Sequence, residues 1–277
     1  MLATALIVFR EMLEAGLVVG VVLAATRGVR RRGAWAALGV AAGVAGAGVV
    51  AALADRLAAL AQGTGQELFN AAVLTLAVVM LAWHNTWMAK HGREIADRAS
   101  RLGAAVAAGE RPLIVVSVIC GVALLREGAE VVLFLYGIAV SGRTGTNTMV
   151  VGGAIGLLGG ALVSTLLYLG LTAVPVRKLF AVTSTLITLL AAGLAAQAVA
   201  FVQQSGYLEV WTSTAWDSSR WLPEDGLPGR VLHALVGYTD RPSGAQIVVY
   251  LAVLLVIAGL TRVVRSRVLG AAGRAAA

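Results

Sequence analysis

Arg10-Glu11-Met12-Leu13-Glu14 and Arg126-Glu127-Gly128-Ala129-Glu130 repeat one charged pattern, RExxE, inside the apolar stretches LIVFREMLEAGLVVGVVLAA and ICGVALLREGAEVVLFLYGIAV. On a helix, glutamates three residues apart share a face, so Glu11 pairs with Glu14 and Glu127 with Glu130, and each pair can bite one ion. Each arginine stands four residues before the second glutamate and brings a counter-charge that lowers the desolvation cost of the empty site. Two arginines against four glutamates leave an excess of two negative charges, which favours a multivalent cation. An ionised side chain at the centre of a membrane helix costs roughly 2.5–3.5 kcal/mol. The motifs are therefore expected to face an interior site and not lipid. Carboxylate oxygens suit hard ions, and no cluster of Cys or Met offers soft ligands for copper(I). Ferric iron fits, while ferrous iron, manganese, calcium and lead remain open. The competing reading, an internal ion pair knitting helices together, weakens when the motif occurs twice.

The elements that carry these motifs are set by composition. The chain has 277 residues, 59% of them hydrophobic and 13% charged, far from the roughly 25% charged of an average soluble domain. This is the balance of an integral membrane protein. Apolar runs of about 20 residues, long enough to cross a bilayer, lie near 2–25, 34–54, 68–89, 112–140, 147–173, 179–202 and 245–263. Seven transmembrane helices in an all-α chain are expected. The N-terminal stretch lacks a basic start and is broken by Arg10 and Glu11, so it reads as a retained span and not a signal peptide. The net charge of +8 falls in short clusters between apolar runs with no aromatic-basic platform, which argues against nucleic acid. Cys120, the single cysteine, excludes a disulfide framework and a CxxC metal site and reads as core packing.

Charge distribution orients the bundle. The first, third and fifth loops and the C-terminal tail hold fifteen lysines and arginines: Arg27, Arg30, Arg31 and Arg32; Lys90, Arg93, Arg98, Arg101 and Arg111; Arg177 and Lys178; Arg262, Arg265, Arg267 and Arg274. The other side holds five, Arg56, Arg143, Arg220, Arg230 and Arg241. The excess marks the cytoplasmic side, leaving the N-terminus outside and the C-terminus in the cytoplasm. The first span then runs inward and the fourth outward, so the halves read as a 3+3 inverted-topology repeat, about 1–100 and 111–202. Glycines recur in the second span (Gly43, Gly46, Gly48) and the fifth (Gly152, Gly153, Gly156, Gly159, Gly160), suiting both to close helix contact. An external loop, 203–244, and a final helix, 245–263, complete a single membrane domain over 1–277.

Other polar residues are accessory candidates. His84, beside Asn85 near the inner end of the third span, can shuttle protons or ligate a departing metal, although a satisfied interfacial histidine is the commoner case. His91 is expected to be solvated, and His233 in the external segment carries no assignment. Gln197, Thr183, Ser184, Thr185 and Thr188 in the sixth span suggest interhelical hydrogen bonds. In the external loop, Asp217, Glu224 and Asp225 are acidic candidates, while Trp211, Trp216 and Trp221 read as interface anchors, with substrate capture as the alternative.

These residues resemble the oxidase-dependent iron transporter family, the high-affinity iron permeases of fungi and bacteria, whose pattern is RExxE in the first and fourth of seven spans. WHNTWMAKHGRE and the segment from Trp216 to Gly244 resemble the bacterial members too, so the likeness covers nearly the whole chain. It implies iron import across the cytoplasmic membrane as a secondary transporter, with Glu11, Glu14, Glu127 and Glu130 as translocation ligands and Arg10 and Arg126 as their partners. Iron, expected as ferric ion after oxidation of ferrous ion, is then a substrate, and no tightly bound cofactor is implied. The resemblance also implies a separate oxidase, peroxidase or iron-delivery protein outside the membrane. Some relatives are assigned to lead, so lead or manganese is the alternative cargo. Met12 departs from the glycine often found there, which bears on helix packing near the site. Two other classes compete: an intramembrane enzyme using the carboxylates as acid and base, and a haem-bearing electron carrier using His84, His91 or His233. The chain offers the first no external nucleophile paired with a base, and the second no paired histidines on facing mid-membrane helices.

Overall fold

The computed structural model describes residues 1–60, 66–140, 145–171 and 176–275. Arg143 and positions 172–173 of the fifth expected span lie outside the described residues, as do the side chains of Lys90, Arg93, Arg177, Arg265, Arg267 and Arg274. The elements in chain order are α1 (Leu2–Ala25), α2 (Arg32–Leu60), α3 (Gln66–Ala107), α4 (Ile114–Val140), α5 (Thr146–Tyr168), α6 (Val176–Gln204), α7 (Leu227–Val236) and α8 (Gly244–Ala275). Among the described residues the only extended pairing is an isolated bridge between Thr214 and Ser243. The protein is all-helical.

Five helices, α2, α3, α5, α6 and α8, contain a segment long and apolar enough to cross a membrane. The motif helices α1 and α4 are of comparable length, 24 and 27 residues, but each carries three charged residues. The two largest boundary shifts are those of α3, which continues to Ala107, and α8, which continues to Ala275, because no proline follows either apolar run to stop the helix.

Small residues decide how these helices meet. Along α1 and α5, Gly152 lies against Met1, Gly156 against Ala5 and Phe9, Gly160 against Phe9 and Met12, and Gly16 against Ser164. Numbers rise together, so the two helices are parallel. Along α2 and α4, Gly39 lies against Ser117, Gly43 against Gly121 and Leu124, and Gly46 against Leu125, again in parallel. The motif helices themselves are antiparallel. One core cluster joins Ala3 and Ile7 of α1 to Phe134 and Ile138 of α4, and a second joins Val22 to Val116 and Cys120. Cys120 is fully buried there.

The α2–α4 contact carries its own internal control. A methyl added at Gly39 would come within 2.8 Å of the Ser117 Cα, whereas one added at Gly48 on the same helix meets nothing within 4 Å. Gly48→Ala is expected to be neutral or to stabilise by up to about 1 kcal/mol, the helix-propensity difference. Gly39→Ala is expected to destabilise by about 1–3 kcal/mol through overpacking. Thermal unfolding of the two variants in the same detergent measures the contrast, and equal melting temperatures would refute the packing account.

The segment 203–244, expected as an external loop, contains a helix of its own, α7. Gly237 ends α7 in the left-handed conformation, φ 71°, with its N–H donating to His233 O at 2.9 Å and the Tyr238 N–H to Leu232 O at 3.4 Å. The C-terminal end of α6 and the N-terminal end of α8 are level, since Ser243 Oγ donates to Gln203 Oε1 at 2.9 Å. Gly237 nevertheless packs against Gly193, ten residues further along α6, and Tyr250 Oη donates to Val236 O at 2.7 Å. At 1.5 Å per residue that places the end of α7 roughly 15 Å along α6 from that level. The segment therefore dips between the helices, while Trp211, Trp216 and Trp221 stay exposed at its outer part.

Candidate metal-ion site between the motif helices

Because α1 and α4 run in opposite directions, their two RExxE runs cross near the middle of the bundle and bring four glutamates together. Glu11 and Glu14 are 1% and 3% exposed and Glu127 is 7% exposed, with Glu130 part-buried. Arg10, 1% exposed, holds its Nε 2.9 Å from Glu14 Oε1 and its Nη1 3.7 Å from Glu11 Oε1. Arg126 donates from Nε to Glu130 Oε1 at 3.2 Å and lies 3.9 Å from Glu127 Oε1.

The joining residue comes from α3. His84, expected as an interfacial histidine, is instead buried at 3% exposure among the carboxylates. Its Nε2 lies 3.6 Å from Glu11 Oε2 and 3.4 Å from Glu14 Oε2, and its Nδ1 contacts Glu130 Oε2. One ligand atom from each of Glu11, His84, Glu127 and Glu130 falls within 4.8 Å of the others. Asn85 fixes the α3 backbone beside it. Its Nδ2 donates to Thr188 Oγ1 of α6 at 3.1 Å, and Ser184 Oγ donates to its Oδ1. Of the sixth-span residues, Ser184 and Thr188 thus make interhelical bonds, whereas the hydroxyls of Thr183 and Thr185 turn back to Leu179 O and Ala181 O of their own helix.

Chemically, the cluster is acidic, buried and short of hydrogen bonds. Both oxygens of Glu11 and of Glu14, both ring nitrogens of His84 and one oxygen each of Glu127 and Glu130 have no aligned hydrogen-bond partner. Buried polar atoms left in this condition cost free energy unless a charge satisfies them. A cation bound among them would do so, with carboxylate oxygens supplying hard donors and the imidazole a nitrogen.

The acidic candidates between α6 and α8 do not join this group. Asp217 is exposed, accepts from Ser219 N at 3.0 Å and pairs with Arg241 at 3.0 Å. The Ser219 hydroxyl and N–H, followed by Arg241, hold its carboxyl below the usual aspartate range. Glu224 pairs with His233 at 3.1 Å, and Asp225 is exposed, its backbone O accepting from Arg230. Trp87 escaped the reading of the sequence, although its spacing with His84 and His91 places all three on one face of α3. Its ring lies 4.1 Å from the Arg126 Cζ and stacks with His91 at 4.9 Å, so His91 is engaged and only part-exposed.

The chain is similar to known proteins along most of its length. The chain is 30% identical over 266 residues to the ferrous iron permease EfeU of Escherichia coli O6:H1, covering 90% of this chain and 91% of that protein. It is 30% identical over 266 residues to EfeU of Yersinia pestis, covering 90% and 89%, and 29% identical over 265 residues to EfeU of Shigella sonnei, covering 90% and 91%. No solved structure matches the chain with significance. The model of the Iron permease FTR1 family matches residues 1–272, and this integral membrane protein belongs to that family of ion transporters.

Proposed function

We propose that the chain imports iron across the cytoplasmic membrane through the cluster of Glu11, Glu14, His84, Glu127 and Glu130. The observation that carries this reading is the convergence of buried, unsatisfied carboxylates from two antiparallel helices on one histidine. Arg10 and Arg126 reduce the repulsion among the glutamates while the site is empty. In this reading α1 and α4 also cross the membrane, since their charges turn inward, giving seven spans with the N-terminus outside. The fifteen-to-five split of basic residues supports that orientation. The chain forms one permease domain of two inverted repeats plus α8. That organisation is supported by the matched parallel pairs α1 with α5 and α2 with α4, each joining a motif helix to the small-residue helix of the other half. Binding sites of transporters with such repeats commonly lie at the repeat interface.

Carboxylates alone favour ferric ion, supplied by an oxidase or iron-delivery protein on the external side. A second reading rests on His84: an imidazole among carboxylates is a donor set that ferrous iron also accepts, and the relatives named above are described as ferrous iron permeases. Uptake of radioactive iron into proteoliposomes, with ferric and ferrous ion in separate arms and lead or manganese as competitors, distinguishes these cargoes. Glu14→Gln and Glu130→Gln keep side-chain size and remove charge. Each is expected to lower uptake at least tenfold at normal protein yield, and wild-type rates in both variants would end the proposal.

A further inference from the structure

The two motif arginines occupy opposite ends of one cluster in different surroundings. Helix direction separates them: α1 and α4 are antiparallel, and side chains lean toward the N-terminus of their own helix, so Arg10 and Arg126 lie on opposite sides of the glutamates. The Arg10 side chain is 2% exposed, whereas that of Arg126 is 36% exposed. The cluster is therefore sealed at the Arg10 end and reaches the protein surface at the Arg126 end. There the guanidinium bridges Glu130 and Glu127 while its Cζ lies over the Trp87 ring, 4.1 Å from its centre. Trp87 is itself backed by His91, stacked at 4.9 Å and 26°, whose Nδ1 meets Trp87 O at 3.2 Å. An ion passing this end must displace a cation held on one side by carboxylates and on the other by an aromatic face.

We propose that the Arg126 end is the mouth through which the ion leaves the site, and that Trp87 is a positioning residue that holds Arg126 in that mouth. Under the orientation proposed above, α3 runs inward from His84 through Trp87 to His91, so this mouth opens toward the cytoplasm. When the ion neutralises Glu127 and Glu130, the guanidinium loses its carboxylate partners and keeps the indole, about which it turns aside from the path. When the ion has left, the carboxylates draw it back. Attraction of a guanidinium to an aromatic face is strong enough for this exchange and weak enough to be reversed. The inference rests on the cluster being the transport site, but it adds a residue with no ligand atom to the machinery.

The test compares Trp87→Leu, which stays apolar and removes the π-face, with Trp87→Phe, which keeps a face. Iron uptake into proteoliposomes gives the maximal rate and half-saturation, and equilibrium iron binding in detergent gives affinity, with elution profile as the check on folding. Trp87→Leu is expected to lower the maximal rate at least fivefold while equilibrium affinity changes less than twofold, and Trp87→Phe to retain at least half the rate. Wild-type rates in Trp87→Leu would overturn the inference and leave the proposed function intact. A loss of affinity matching the loss of rate would overturn it too, by making Trp87 a packing residue of the site. Equal loss in Trp87→Phe and Trp87→Leu would remove the role of the aromatic face, and a wild-type protein that takes up no iron would overturn both proposals.

Discussion

Arg10→Met is expected to cost the protein most of its stability, whereas Arg126→Met is expected to leave it folded. The two arginines are equivalent in sequence and unequal in burial. Arg10 is 1% exposed and carries the only guanidinium within salt-bridge distance of Glu11 and Glu14 among the described residues. Removing one partner of a buried ion pair strands the other charge, which destabilises by about 3–5 kcal/mol. The Arg126 side chain is 36% exposed, so solvent screens what its removal uncovers, and about 1 kcal/mol is the expected scale. Thermal unfolding in detergent measures the difference. Adding Glu14→Gln to Arg10→Met should recover part of the loss, because the two residues are direct partners and their effects do not add. If Arg10→Met melts with the wild type, the α1 glutamates are not the buried charges described here.

His84→Leu should abolish measurable uptake while the protein still folds. Leu retains volume at a site packed by α1, α3 and α4 and removes both ring nitrogens, which approach Glu11, Glu14 and Glu130. Loss even of an outer-sphere partner of a metal typically lowers affinity 10- to 100-fold. A direct ligand is expected to fall at or beyond the upper end of that range. Equilibrium iron binding and proteoliposome uptake should fall together, in contrast to the rate-selective effect expected at Trp87. Normal binding in His84→Leu would restrict the site to carboxylates and return the weight of the argument to ferric ion.

The difference between these residues lies in what a linear sequence displays. The RExxE runs were legible because charges inside an apolar stretch are costly and their recurrence is visible without coordinates. His84 was legible only as an accessory candidate, since a single histidine near the end of an apolar run has the same appearance whether it meets water or glutamate. Its inward position depends on α3 continuing to Ala107, which moves residue 84 away from the helix end. The neighbouring Asn85, tied to Ser184 and Thr188 of α6, was the available signal, but a pairing across about 100 positions has no local signature. The segment between α6 and α8 is a similar case. Its tryptophans and charges suggested a surface loop, while the descent of α7 depends on Gly193 and Gly237 each being small enough to admit the other's backbone.

Met12 and Gly128 hold the same place in their motifs, and their neighbours are matched inversely: Met12 faces Gly160 of α5, whereas Gly128 faces Ala47 of α2. A fixed volume is thus shared between two positions on each side of the molecule, the larger residue on the motif helix in one half and on its neighbour in the other. Mutational tolerance at position 12 should accordingly be epistatic with position 160. Replacing Met12 by glycine should relieve only part of the clash created by Gly160→Ala, because the Phe9 carbonyl still stands 2.7 Å from the added methyl, and each change taken alone either overfills or empties the seam beside the glutamates.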